Sequence, residues 1–381
     1  MHAFHRAFLT ASAVLALAFT QVSFANVFTP TGGLSTGRYG AFAARLPDGK
    51  VLIAGGYNGS SLDSAEIYDP GTGTFSHASN TLSAARGFGT TTVLQDGRVL
   101  LAGGGAYDDT TNLTTADIYN PSTGMFTPTG SMHVQRASMT ATLLANGKVL
   151  IAGGMASDGV TRLASAELYD PVTGTFTQTG NMNYATDDGV AVRLPNGKVL
   201  MAGGGNGGAT SLATAELYDP ATGTFMPTGS MTVGRDDAVA VLLNNGKVLV
   251  ASGGNMDQSV GTADLYDPAT GTFTASHSTF PPRDFASVVT LSDGKVLLIG
   301  GRIDSTNANT GSLNTAVLYD PDSDTFTTTA SMTTARFYFP AIVLQNGNVL
   351  VAGGYNNDGV VGSAEIFSSN DTIFANGFEG P

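Results

Sequence analysis

The chain contains no cysteine and no tryptophan, and after its first 25 residues it has no long apolar run. Without cysteine there can be no disulfide, thiolate metal site or cysteine nucleophile, a composition compatible with an oxidising compartment without establishing one. Charge is also sparse. Only 12% of the 381 residues are charged and the formal net charge is -13, which argues against a nucleic-acid partner, because phosphate binding draws its affinity from clustered Lys and Arg. The five lysines (Lys50, Lys148, Lys198, Lys247, Lys295) stand at one point of a recurring unit, with Arg98 in that place in another copy. They form a spread ring and not a patch. Past residue 25 only His77, His133 and His277 remain, at non-equivalent places, and nothing in their spacing makes a three-histidine metal site.

The first residues differ from the rest. His2, His5 and Arg6 precede the apolar run Ala7 to Phe19, and Ser23-Phe24-Ala25 offers a small-x-small cleavage site before Asn26. Residues 1–25 therefore read as a secretory signal peptide, which predicts an exported protein, periplasmic or extracellular. The run is too short for a typical spanning helix, and no later stretch reaches the roughly 20 apolar residues a membrane span needs. No membrane span is expected.

What is abundant is glycine, in a fixed place. A double glycine recurs at Gly55, Gly103, Gly153, Gly203, Gly253, Gly300 and Gly353, in steps of 48, 50, 50, 50, 47 and 53 residues. Such a period marks a unit that cannot bury its apolar face alone and stacks on its neighbours. In the third copy, Arg136 to Leu144 is one strand, Asn146-Gly147 a tight turn and Val149 to Ala152 a second strand. Asn-Gly or Asp-Gly stands at this turn in every copy and predicts a type I′ hairpin. A variable loop follows, then a strand ending in Tyr169, the turn Asp170-Pro171-Val172-Thr173-Gly174, and a strand opening at Phe176. Seven four-stranded units without helical periodicity predict an all-β fold, a seven-bladed β-propeller spanning 26–381 as a single domain.

Phe28-Thr29-Pro30-Thr31-Gly32 repeats the outer-strand sequence Phe126-Thr127-Pro128-Thr129-Gly130 without strands of its own before it. Residues 27–32 are expected to complete the seventh blade, in competition with Phe374, which falls at the right distance after Phe367 to do the same. Within the tail 370–381, Ile373-Phe374-Ala375-Asn376-Gly377-Phe378-Glu379 resembles a short terminal segment of exported proteins of some Gram-negative bacteria, and a plain frayed end is the favoured reading.

The double glycine, a Tyr roughly fifteen residues later and an aromatic six or seven beyond resemble the kelch repeat. In that family the last aromatic is usually Trp; here it is Phe75, Phe126, Phe176, Phe225, Phe273, Phe326 and Phe374. The Gly-Lys-Val-Leu and Tyr-Asp-Pro sequences are similar to the kelch copies of copper radical oxidases of the galactose oxidase type. That resemblance implies a tyrosyl radical crosslinked to Cys and copper held by two Tyr and two His. A chain without cysteine cannot form that cofactor, so the fold is expected to carry over and the activity is not.

Positions common to all copies build the fold, and departures from the pattern are candidates for a site. An Arg opens the first strand in six copies (Arg38, Arg86, Arg136, Arg235, Arg283, Arg336), with Thr186 in the fourth, and a carboxylate sits in the third strand in six, with Val317 in the sixth. Charges repeated in nearly every blade read as a structural pair. The double glycines are structural too, since neither Lys nor Ser/Thr follows them at Walker spacing. The pair of residues after the Arg does vary: Tyr39-Gly40, Gly87-Phe88, Ala137-Ser138, Asp187-Asp188, Asp236-Asp237, Asp284-Phe285 and Phe337-Tyr338. Carboxylates gather in copies four to six, aromatics in six, seven, one and two. These positions open the innermost strand, near the channel mouth, on the face where the loops Tyr107-Asp108-Asp109 and Arg302-Ile303-Asp304 should lie.

Acidic residues across a mouth from aromatic ones suit a sugar, or a cationic ligand. The competing reading is solvated loop Asp and ordinary core Phe. The sequence favours a non-catalytic exported propeller binding a glycan, peptide or protein through its loop face, with Asp187, Asp188, Asp236, Asp237, Asp284, Phe285, Phe337, Tyr338, Tyr39 and Phe88 as ligand-binding candidates. The alternative is a carbohydrate-active enzyme using paired Asp residues as acid and base. No cofactor is called for, although adjacent Asp pairs also suit Ca²⁺. Nothing in the sequence sets the oligomeric state.

Overall fold

The computed structural model describes residues 26–105, 112–208, 210–255, 258–303 and 311–369. The leader 1–25, the loop Tyr107-Asp108-Asp109, Asp304, and the tail 370–381 with Phe374 lie outside the described residues. Among the described residues there is no helix, and the strands form seven four-stranded antiparallel sheets plus two short hairpins.

Blade three shows how a repeat becomes a sheet. Strand a, Thr140–Leu143, turns into strand b, Val149–Ala152; strand c, Ala166–Asp170, pairs with b; strand d, Thr175–Gln178, forms the outer edge. Blade four repeats this with Val190–Arg193, Val199–Ala202, Ala215–Asp219 and Thr224–Pro227. Each strand a packs beside the strands a of both neighbouring blades, and blade one's Phe42–Arg45 meets blade seven's Ala341–Val343, so the inner strands close into a ring. The outer strand of blade seven is Val27–Thr31, which pairs with Ala364–Ser368 and sets Phe28 opposite Phe367 with ring centroids 5.0 Å apart. Tyr169 and Phe176 make the same contact in blade three at 4.8 Å.

Strand b is buried along its whole length in every blade, because both of its faces pack on neighbouring blades. Two-sided burial explains why it reads Val-Leu-Ile-Ala without alternation. Leu150 and Ala152 of blade three share a core with Val199 and Met201 of blade four. Each large side chain of this kind contributes about 1.5–3 kcal/mol. Outside the core, the Thr129 hydroxyl and the Tyr169 hydroxyl share a hydrogen bond of 2.9 Å, and Gly130 N–H donates to the Gly174 carbonyl, tying one blade's outer strand to the next blade's turn.

Three expectations need correction. The Asn-Gly hairpin is not type I′: only Gly147 has positive φ (83°), Gly147 N–H donates to the Leu144 carbonyl, and Leu144 N–H donates to Lys148, which makes a three-residue loop with glycine in the left-handed position. The Asn146 side chain accepts from Lys148 N–H at 3.1 Å, an Asx bond that suits this turn equally well. In blade five the first glycine of the pair is Ser252 and not Gly253: Ser252 has φ 69° and donates to Thr262, as Gly153 donates to Ser165. Finally, the Arg does not open strand a. Arg136 lies ahead of Thr140, in a segment whose backbone leaves the ladder to reach the channel mouth.

Candidate functional site

The site is built on a repeated anchor. Arg136 is fully buried; its Nη1 donates to the carbonyls of Gly153 (2.7 Å) and Ser165 (2.9 Å), and its Nη2 to Ser165 Oγ and Glu167 Oε1. The same fork joins Arg38 to Glu66, Arg86 to Asp117, Arg235 to Asp264 and Arg336 to Glu365, at 2.9–3.1 Å. The carboxylate also accepts N–H groups from the segment ahead of the Arg, as Glu167 does from His133 and Val134. These charges are structural. They clamp the entry segment of each blade onto strand c.

The clamp sets the next two residues. The first forms an isolated antiparallel bridge with the residue after the glycine pair: Tyr39 with Tyr57, Asp187 with Gly205, Asp236 with Gly254, Asp284 with Arg302, Phe337 with Tyr355. The second takes a left-handed backbone in all seven blades: Gly40 (φ 60°), Phe88 (55°), Ser138 (53°), Asp188 (49°), Asp237 (48°), Phe285 (50°) and Tyr338 (53°). For a non-glycine residue that conformation costs about 1–2 kcal/mol, and here it aligns a girdle of backbone hydrogen bonds around the channel. Gly40 N–H donates to Tyr338, Phe88 to Gly40, Ser138 to Phe88, Asp188 to Ser138 and Asp237 to Asp188, all at 2.9–3.0 Å.

The girdle separates two cavities. One, of about 460 Å³, opens on the loop face, and the other, of about 340 Å³, is the channel below; Phe88, Ser138, Asp188, Asp237, Phe285 and Tyr338 line both. Around the ring Asp188 and Asp237 are adjacent, while Phe285, Tyr338 and Phe88 take the opposite arc with Gly40 between the last two. The aromatic arc is one packed cluster: Phe285 and Tyr338 are 4.2 Å apart, Phe88 and Tyr338 5.4 Å, Tyr39 and Phe88 5.8 Å.

Burial governs the acidic arc. It pushes Asp188 up to about 7, with the neighbouring Asp187 charge adding to the effect, and it raises Asp237 well above the usual carboxylate range, with Asp188 and Asp236 adding their charges. Burial also raises Asp187, against the opposing charge of Arg162, whose Nε lies 3.0 Å from it. Asp284 is pushed to about 6 by burial, opposed by Arg302 at 3.5 Å. The Arg302 guanidinium in turn lies 4.6 Å over the Phe285 ring.

Of the ten candidates, Asp187, Asp188, Asp237, Phe88, Phe285 and Tyr338 line the loop-face cavity. Asp236, Asp284, Phe337 and Tyr39 sit on the bridge rungs behind them and line neither cavity; Phe337 is fully buried packing. Sequence reasoning missed Arg162, Tyr57 and Tyr355, and named Arg302 only as loop. The last three share a signal, since each directly follows a glycine pair and so faces the first residue after the Arg.

A family model described as the Kelch motif matches residues 38–81, 136–183 and 189–232. The chain is a seven-bladed β-propeller that carries Kelch motifs. Among solved structures, it is similar to a fungal alcohol oxidase of the AA5 family in complex with copper, at a TM-score of 0.76 and 20% identity, covering 91% of this chain and 77% of that one. At that identity the likeness is one of fold. No curated protein matches the sequence. The donors here do not fit a copper radical centre of that type. His133 and His277 are exposed and bonded to Glu167 and Asp324, His77 is exposed on an outer strand, and the described mouth offers carboxylates and tyrosines without imidazole or thiol.

Proposed function

We propose that this kelch propeller is exported, is not an enzyme, and binds a glycan in its loop-face cavity. One observation carries the reading: a cavity of about 460 Å³ whose girdle places Asp188 and Asp237 on one arc and Phe285, Tyr338 and Phe88 on the other. Carboxyl groups accept or donate hydrogen bonds to sugar hydroxyls, and ring faces stack on sugar C–H faces. A peptide or protein ligand would use the same surface with less need for the stacked arc.

The test is a glycan array with the protein lacking residues 1–25, followed by calorimetry on the best binder. Asp237→Asn and Tyr338→Ala should each weaken binding by up to about tenfold, the worth of one well-placed hydrogen bond or stacked ring. If both variants bind like wild type, the mouth is not the site. Export is checked separately, by N-terminal sequencing of secreted protein for cleavage after Ala25.

A second reading is favoured by the unequal environments of Asp187 and Asp188. Two neighbouring carboxyls, both raised by burial and with Arg162 3.0 Å from Asp187, can serve as acid and base on a glycosidic bond. Hydrolysis of a bound glycan, abolished by Asp188→Asn with binding intact, would select it.

A further inference from the structure

Blade four departs from its sisters beneath the mouth, where Thr186 stands in the place of the buried Arg. The backbone there is unchanged: Thr186 N–H donates to Leu163 and its carbonyl accepts from Gly154, as Arg136 does with Leu113 and Gly104. The acceptors that hold a guanidinium elsewhere are also kept. Gly203, Thr214 and Glu216 correspond to Gly153, Ser165 and Glu167, and Glu216 is buried and accepts N–H groups from Asn183 and Tyr184 just as Glu167 does from His133 and Val134. What is missing is the cation. The Thr186 hydroxyl reaches the Gly203 carbonyl at 3.1 Å and the Asp187 carbonyl at 3.2 Å but not Glu216, and no Lys or Arg among the described residues pairs with Glu216.

The space left behind is a cavity of about 20 Å³ lined by Thr186, Gly203, Thr214 and Glu216. A single water needs about 10–15 Å³. Two further walls are Met182 and Met201, unbranched side chains that re-pack readily around an incoming group. Ser138 and Gly189 line both this cavity and the central channel, which marks the way in.

We propose that blade four carries a binding pocket for a guanidinium group, presented either by a small guanidino compound or by an arginine side chain of a peptide entering from the channel. The argument is internal to the molecule. In blades one, two, three, five and seven the same acceptor set closes around the chain's own guanidinium at 2.6–3.3 Å, with a carboxylate as the last ligand. A planar fork suits such a set; a compact ammonium reproduces fewer of its bonds. Glu216 supplies the counter-charge that makes a cation, and not a neutral amide, the preferred occupant.

The experiment titrates the protein lacking residues 1–25 with methylguanidinium, methylammonium and a short arginine-containing peptide, following calorimetry and the melting temperature. Methylguanidinium should bind saturably and raise the melting temperature, with methylammonium at least tenfold weaker. The peptide arm separates the two sources: tighter binding than methylguanidinium assigns the pocket to an arginine side chain, weaker binding assigns it to a small compound. Thr186→Arg should be more stable than wild type and lose the response, because its own guanidinium fills the pocket. Glu216→Gln, which keeps the shape, should weaken methylguanidinium at least tenfold. The proposal is overturned if wild type shows no saturable response, if methylammonium and methylguanidinium act alike, or if Thr186→Arg or Glu216→Gln responds as wild type does.

Discussion

Blades four and six lack opposite halves of one device. Blade four keeps the carboxylate, Glu216, without the Arg; blade six keeps Arg283 and has Val317 where the carboxylate belongs. Arg283 still donates to the Gly300 and Thr315 carbonyls and to Thr315 Oγ1 at 3.0–3.2 Å, so the backbone fork alone holds the guanidinium in place. Its pKa is pushed down to about 10 by burial with no carboxylate opposing, whereas burial of Arg136 is opposed by Glu167. Val317 instead joins an apolar core with Leu298 and Tyr319. The two blades separate roles that the complete copies merge: carbonyls set the geometry, and the carboxylate offsets the cost of burying the charge.

The largest expected effect tests that division. Arg136→Ala in blade three strands Glu167 as a buried charge without its cation, which costs about 3–5 kcal/mol. Arg283→Ala in blade six strands no carboxylate and leaves only carbonyls short of a donor, a loss of about 1–3 kcal/mol. Denaturant unfolding of both variants measures the difference. Equal losses would mean that the carbonyl fork carries the whole effect and the carboxylate is incidental.

The same contrast shows what could be read from the sequence. The seven-fold period, the paired charges and the acidic and aromatic sectors are all visible in one line of letters, because they depend on residue type at a fixed spacing. Hairpin geometry is not, since Asn-Gly serves both a type I′ turn and the three-residue loop, and the choice rests on whether Leu144 pairs with Lys148. Nor is the orientation of the pair after the Arg. The left-handed backbone at its second residue is hinted at only by Gly40, while Phe88, Asp188, Asp237, Phe285 and Tyr338 hide it. That geometry sends Asp237 to the cavity and Asp236 to the rung behind, so the variant that tests ligand binding is Asp237→Asn. The vacancy in blade four was legible as Thr186, and its meaning was not, because an absent side chain implies a pocket only when its acceptors stay in place.

The smallest expected effect carries the comparison up to the mouth. Asp188 of blade four has a folded pKa of about 7, above its unfolded value, so the stability it contributes is fully present below about pH 4 and is lost as the pH rises through 7. Asp188→Asn cannot ionise. It should therefore raise the melting temperature at pH 8, where each kcal/mol is worth roughly 2–4 °C in a large domain, and leave it near the wild-type value at pH 4. Asp284 of blade six is shifted the same way, to about 6, but there the carboxylate faces Arg302 across 3.5 Å. Because its net rise, with the Arg302 attraction included, is smaller than that of Asp188, Asp284→Asn should give a smaller gain at pH 8. Melting curves of wild type and both variants at pH 4, 6 and 8 decide the matter. A gain from Asp284→Asn matching that from Asp188→Asn would show that Arg302 contributes nothing to holding the charge. The two blades would then differ at the anchor beneath the mouth and not at the mouth itself.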